Sequence, residues 1–105
     1  MISTIKKILG IGPSVNYTEL MEKGAIIVDV RTAGEYQSGH IKGSINIPLQ
    51  NLQGQLSKLK KDKPIITCCA SGMRSASAKS MLSSNGFAEV YNGGGWYSLN
   101  RKIKS

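Results

Sequence analysis

Few residues in this 105-residue chain could build a scaffold or a metal site: two cysteines, one histidine, one tryptophan and one phenylalanine. The cysteines, Cys68 and Cys69, are neighbours. A disulfide between adjacent residues closes a strained ring and spans no loop, so a stapled scaffold is excluded. Two cysteines and one histidine also fall short of a four-ligand zinc site. The lack of a disulfide framework points to a reducing compartment, and a cytoplasmic location is expected. No apolar run approaches the roughly 18 residues of a membrane-crossing helix, so no membrane association is expected. In the first residues, MISTIKKILGIG, lysines interleave with apolar side chains and no small-residue cleavage site follows. That pattern argues against a secretory signal. It reads instead as a short leader, residues 1–14, ahead of a single domain over 15–105. A chain of this length supports one modest hydrophobic core.

Acidic residues are also scarce, six against 14 basic ones, for a net charge of +8. The basic residues gather at Lys6-Lys7, Lys58 to Lys63 and Arg101 to Lys104. None of these runs is interleaved with the aromatics of a base-stacking surface, and no zinc-finger or RNA-binding signature is present. No nucleic-acid partner is expected. The lysines read as solvated helix ends and tails whose field favours small anions or an acidic protein.

Apolar patterning alternates between two kinds of segment. Asn16 or Thr18 can cap a short helix through Glu19-Leu20-Met21-Glu22, stopped by Gly24. Ala25 to Val30 is a continuous apolar run interrupted by one carboxylate, Asp29. Such a run reads as a strand buried on both faces, hence a parallel sheet under helices. Thr32 to Tyr36 reads as a short helix, Gly39 to Gly43 as a turn, and Ser44 to Ile47 as a strand ended by Pro48. Leu49, Leu52, Leu56 and Leu59 recur at helical intervals. Pro64 to Cys68 is a second buried strand. Ser75 to Asn85 is helical, with Gly86 and Phe87 as its C-terminal cap. Glu89 to Tyr91 forms a last strand, Gly93 to Gly95 a loop, and Trp96 to Ile103 a closing helix. Strands alternating with helices imply an α/β domain.

The segment Cys69-Ala70-Ser71-Gly72-Met73-Arg74-Ser75 joins the end of the second buried strand to a helix. Ligands bind at such strand ends in open parallel sheets. Alternation sends Cys68 into the core while Cys69 enters the loop. Gly72 lets the backbone curl, so that successive amides face inward as an anion-binding nest. The following helix aims its positive end at the same spot, and Arg74 adds a guanidinium suited to an oxyanion. All three stabilise a thiolate, lowering the pKa of Cys69 below that of a free thiol.

Several motifs in the right order resemble the single-domain rhodanese family of sulfurtransferases. Ile66 to Ser75 is similar to the family's active-site loop. Val28-Asp29-Val30-Arg31-Thr32-Ala33-Gly34-Glu35-Tyr36 matches its DVR-x-x-x-E-[FY] segment. Gly39 to Pro48 matches GHIxGAxNIP with Ser44 in place of alanine, and Tyr91 to Trp96 resembles the Gly-Gly stretch before the last helix. The resemblance implies a rhodanese-like three-layer α/β domain with an about five-stranded, mostly parallel sheet. It also implies that Cys69 accepts sulfur as a persulfide, with Ala70, Ser71, Gly72, Met73, Arg74 and Ser75 forming the anion-binding loop. The donor would be a small sulfur anion such as thiosulfate. The acceptor would be cyanide, a thiol, or a thioredoxin-like or sulfur-relay protein. No metal or organic cofactor is implied.

Asp29 and Arg31 sit on the ligand side of the sheet as supporting residues. Asp29 is expected to order the loop or an arginine, since a buried carboxylate needs a partner. Arg31 is expected either to form a salt bridge or to add positive potential at the rim. His40, within the GHIxG turn, reads as structural, and Trp96 and Tyr97 as packing of the last helix. Phosphatases and arsenate reductases of related fold use Cys-x5-Arg, whereas Arg74 here makes Cys-x4-Arg. A sensing or partner-specific relay module, with little thiosulfate turnover, is the rival reading that keeps the cysteine.

Overall fold

The computed structural model describes residues 15–104; the expected leader over residues 1–14 lies outside the described residues. Helix α1 (Tyr17–Glu22) starts where the Asn16 side chain accepts the Glu19 amide proton at 2.9 Å. It ends at Gly24, whose φ of +89° suits glycine. Strand β1 (Ile26–Asp29) leads to α2 (Ala33–Gln37), and β2 (Ile45–Asn46) to α3 (Leu49–Leu52). A 3-10 segment, Gln53–Lys58, follows α3. Then come β3 (Ile65–Cys69), α4 (Met73–Ser84), β4 (Val90–Gly95) and α5 (Trp96–Lys104).

The four strands form one parallel sheet in the order β2-β1-β3-β4. The expected count of about five is therefore four among the described residues, one strand for each extended run that the apolar patterning supplies. Helices cover both faces. On one side Val28, Ile65 and Cys69 pack with Leu52 of α3 and with Ala78 and Leu82 of α4. On the other, Ile27, Ile66 and Cys68 pack with Leu20 of α1 and Leu99 of α5. Alternation along β3 thus sends Cys68 and Cys69 to opposite layers, as a strand requires. Truncating a buried leucine such as Leu82 or Leu99 costs about 2–5 kcal/mol.

Three local expectations differ. The Leu49–Leu59 repeat is not one helix: Gln55, at φ −123° and ψ 20°, breaks helical geometry between α3 and the end of the 3-10 segment. Helix α4 starts at Met73 rather than Ser75, and its far end closes as a Schellman turn. There the Phe87 amide donates to Leu82 O (3.1 Å) and the Gly86 amide to Ser83 O (3.3 Å). Finally, Gly93 to Gly95 is not a loop but the second half of β4.

Glycine is required there by space. A Cβ on Gly93 would lie 2.8 Å from Leu99 Cδ2 and 2.8 Å from Thr67 O. Thr67 pairs with Asn92 and Cys69 with Gly95, two steps along β3 against three along β4. This bulge inserts one residue into β4 beside the cysteine. Asn92 keeps Thr67's side of the sheet, the α4 side, and Gly95 comes level with Cys69.

Candidate active site

Cys69 is the last residue of β3, and the loop after it is only Ala70-Ser71-Gly72. Gly72, at φ +105°, turns the chain back so sharply that its own amide meets the cysteine sulfur, N to Sγ 2.9 Å. The Ser75 amide, the third of α4, also donates to Sγ at 3.3 Å. The first amides of a helix have no intrahelical acceptor, and a Ser, Thr, Asp or Asn side chain normally takes one of them. Gly72 at the cap position has no side chain to offer. The Cys69 sulfur takes that place, so the positive end of α4 is capped by the group it can hold as an anion.

A third contact comes from the buried Ser75 side chain, Cys69 Sγ to Ser75 Oγ 3.5 Å. Burial pushes the Cys69 thiol up. Hydrogen bonds outweigh it, first from the Ser75 side chain and then from the Ser75, Gly72 and Ser71 amides, so the thiol ionises below its ordinary value. Cys68, one residue earlier in the opposite core layer, behaves in the contrary way. Burial, aided by nearby Asp29, pushes its thiol up to about 12. Neighbours in sequence therefore differ sharply in acidity, because one faces amides and the other faces apolar side chains. Thr67 locks the frame by donating from Oγ1 to Ser75 O at 2.8 Å. Ala70, Ser71 and Met73 line the solvent side, Met73 at 81% exposure.

Arg74 requires a correction. Its guanidinium does not offer its two-pronged face to an anion at Cys69. It grips the Glu35 carboxylate instead, Nη1 to Oε1 2.8 Å and Nη2 to Oε2 2.9 Å. Glu35 is itself set by a capping box, its carboxylate accepting from the Thr32 amide (3.0 Å) and hydroxyl (3.1 Å). Arg74 and then Thr32 hold the Glu35 carboxyl down at about 2. Sequence reasoning placed Glu35 within a motif without giving it a role. The Thr32-x-x-Glu35 box was a readable signal for its orientation, but not for its partner 39 residues away.

Asp29 orders an arginine, and that arginine is Arg31. Nε of Arg31 donates to Oδ1 (2.9 Å) and Oδ2 (3.0 Å) of Asp29, and Nη2 to Oδ2 (2.7 Å). The Arg31 amide adds a contact to Oδ1 at 3.0 Å. Nη2 also reaches Gly39 O at 2.7 Å, and the guanidinium lies 4.8 Å from the Trp96 ring centre. The pair is buried, so Arg31 is a salt-bridge residue tying β1 to the Gly39 turn and α5.

His40 stacks on Tyr36 at 3.8 Å and meets Tyr36 O through Nδ1 at 2.7 Å. It has no contact with Cys69 and stays structural. Trp96 packs in the α5 layer, while Tyr97 stands out at 65% exposure. Asn92 was missed altogether: its Oδ1 is 2.5 Å from Ser75 Oγ. No local pattern marks it, because it is the pairing of β4 with β3, Asn92 opposite Thr67, that brings it there. A cleft of about 260 Å³, lined by Val30, Thr32, Pro48, Leu49, Gln50 and Arg74, opens beside the Arg74–Glu35 pair. Among the described residues no group of three or more His, Cys, Asp or Glu is arranged to hold a metal ion. None of their helices is long and apolar enough to cross a membrane.

Cys69 thus has a sulfur primed to ionise, held by amides that can stabilise negative charge on it or on a sulfur attached to it. Relatives share the framework. Thiosulfate sulfurtransferase GlpE of Pseudomonas savastanoi is 38% identical over 80 residues, 76% of each chain. GlpE of Pseudomonas fluorescens is 35% identical over 83% of this chain and 80% of its own. YqhL of Bacillus subtilis is 39% identical, and the chain spans 65% of its length. Among solved structures, the human single domain sulfurtransferase TSTD1 superposes with a TM-score of 0.75 at 26% identity, over 90% of this chain and 99% of its own. The Bacillus anthracis CoADR-RHD structure scores 0.70 at 39% identity over 81% of this chain, but only 15% of that longer chain. The profile of the rhodanese-like domain matches residues 15–102. The chain belongs to the rhodanese-like family.

Proposed function

We propose that this protein is a rhodanese-type sulfurtransferase that carries sulfane sulfur as a persulfide on Cys69. The observation that carries the reading is the pair of amides, from Gly72 and Ser75, converging on the Cys69 sulfur. The Cys69 thiolate attacks the outer sulfur of a donor such as thiosulfate. A new S–S bond forms at Cys69 while the donor's S–S bond breaks, and sulfite leaves with the electron pair. An acceptor, cyanide or a thiolate of a small molecule or partner protein, then attacks the outer sulfur and returns Cys69 as a thiolate. Each half is a displacement at sulfur, so covalent catalysis needs no cofactor to balance it. The loop Ala70 to Ser75 is the anion cradle, and its amides stabilise the terminal persulfide sulfur. A reducing compartment such as the cytoplasm keeps both cysteines as thiols.

GlpE relatives named for thiosulfate support that donor. One observation favours the narrower reading, a relay that takes sulfur from a persulfide partner. Both arginines near the cradle are already bound to carboxylates, Arg31 to Asp29 and Arg74 to Glu35. The cradle then offers mainly uncharged amides, which suit a singly charged persulfide better than a dianion. Phosphate chemistry is disfavoured by the short Cys-x4-Arg loop and by an arginine turned away.

The test is intact-mass spectrometry after incubation with thiosulfate and, separately, with glutathione persulfide, followed by addition of cyanide. Gain of one sulfur atom, lost again to cyanide and missing in Cys69→Ser, is the expected result. Failure of both donors to modify the parent protein overturns the reading.

A further inference from the structure

The Ser75 hydroxyl has more neighbours than protons. Its Oγ lies 3.5 Å from Cys69 Sγ, 3.0 Å from Gly72 O and 2.5 Å from Asn92 Oδ1. A hydroxyl donates one proton and accepts through its lone pairs. The shortest contact is to Asn92, and the orientation of that amide is fixed independently. The Gly94 amide donates to Asn92 Oδ1 at 3.0 Å, while Nδ2 points to Gly72 O at 3.4 Å. Flipping the amide would set its NH2 against the Gly94 N–H, donor facing donor. Asn92 therefore presents an oxygen to Ser75, and draws the hydroxyl proton to itself.

The consequence falls on Cys69. With its proton on the Asn92 side, Ser75 turns a lone pair toward the sulfur. That arrangement accepts the S–H of the thiol; once the sulfur ionises, the hydroxyl lowers the Cys69 value only by swinging its proton onto the thiolate. For Ser75 to donate to the thiolate, its proton must leave Asn92. Ser75 is fully buried and its backbone is held by Thr67, so the hydroxyl can answer only by rotating.

We propose that Asn92 is a positioning residue: by competing for the Ser75 hydroxyl proton it sets how readily the Cys69 sulfur takes on and keeps negative charge. Asn92 touches no reacting atom and acts through Ser75. It restrains the cradle, making Cys69 a weaker acid than its amides and a freely donating Ser75 together would allow, and holding a reserve hydrogen bond that the loop can hand over. The regular β3–β4 register, Thr67 opposite Asn92, sets this side chain under the helix start, and the bulge follows it. The other charged or titratable groups around Cys69 are Cys68 in the opposite layer, Asp29 at the end of β1 with Arg31 just after it, and the Arg74–Glu35 pair; Tyr17 donates to the Asn92 main-chain O at 3.3 Å, a contact that changing the Asn92 side chain leaves in place. None of them bonds to the Asn92 side chain, so they form a constant background when Asn92 is changed.

The experiment measures the pH dependence of Cys69 alkylation by iodoacetamide, located by mass, in the full-length protein. It needs no sulfur donor, so its failure is separate from failure of the sulfurtransferase reading on which the consequence rests. Asn92→Ala frees the hydroxyl for the sulfur and lowers the midpoint by roughly half to one pH unit, the scale of one hydrogen bond. Asn92→Asp, of the same shape, holds the proton more strongly and adds negative charge, raising the midpoint by a similar amount. Ser75→Ala raises it as well, and adding Asn92→Ala to Ser75→Ala changes nothing further. Residues that merely brace the loop would shift the midpoint in one direction whatever replaced them. If Asn92→Asp fails to raise the midpoint, or Asn92→Ala acts equally in the Ser75→Ala background, the proposal is overturned.

Discussion

The Arg74 guanidinium closes a two-point ion pair on the Glu35 carboxylate, 2.8 and 2.9 Å, across 39 residues of chain. The pair joins the first turns of α4 and α2 at the edge of the sulfur cradle. It occupies the one loop cation that would otherwise face an incoming anion.

Glu35→Gln should release that cation. Sulfur loading from thiosulfate is expected to rise about threefold to tenfold, at the low end of electrostatic steering. Loading from glutathione persulfide should change less. The gain should shrink as salt is raised, since exposed charges are screened. Because the Glu35 carboxyl sits at about 2, the pair stays ionised at any working pH. The parent's thiosulfate rate should therefore show no inflection from Glu35 between roughly pH 4 and 8. Stopped-flow release of sulfite measures both effects, and an unchanged rate in Glu35→Gln would show the pair to be purely structural.

Asp29 and Arg31 are buried together, so removing one strands the other. Asp29→Ala should cost about 3–5 kcal/mol, the usual penalty for an uncompensated buried charge. Replacing both, as Asp29→Leu with Arg31→Met, should cost clearly less than the single change. Urea unfolding of the three proteins decides it. Equal losses for single and double variants would mean that the pair's charge is not what matters.

Glycines are not equivalent in this fold. Gly93→Ala drives a methyl against Leu99 Cδ2 and Thr67 O at 2.8 Å, for an expected loss of about 1–3 kcal/mol. At Gly34, inside α2, an added methyl would meet nothing within 4 Å, and φ is not positive. There alanine should stabilise by up to about 1 kcal/mol through helix propensity. Thermal denaturation of each variant tests the contrast in sign.

The two cysteines should separate in alkali. Cys68 is held as a thiol up to about 12 in the folded protein, against an ordinary 9.0. Its raised value contributes stability that is fully present below pH 9 and lost as pH rises toward 12. In that window the folded state keeps a proton that the unfolded chain has released. The slope is about 1.4 kcal/mol per pH unit. Cys68→Ala should be less stable at pH 7 through its cavity, yet lose less than the parent between about pH 9 and pH 11. Denaturant midpoints across that range would refute the assignment if the two curves ran parallel. Near neutral pH an alkylating agent should mark Cys69 and spare Cys68.

What the sequence determined by itself was local. Continuous apolar runs dictated buried parallel strands, and strand alternation alone divided Cys68 from Cys69. Gly72, between a strand and a helix start, sufficed to foresee amides turned onto the Cys69 sulfur. Each of these follows from bonds and sterics within a few residues. Only the tertiary structure decided what depends on encounters between distant segments. An arginine takes the nearest carboxylate in space, so Arg74 went to Glu35, 39 residues away, and the cradle was left to its amides. The glycines after Tyr91 looked like a loop because nothing local shows that Leu99 and Thr67 press against them. Asn92 carries no signal in its own neighbourhood. Pairing opposite Thr67 sets it beneath Ser75, and that register arises only when β3 and β4 pair.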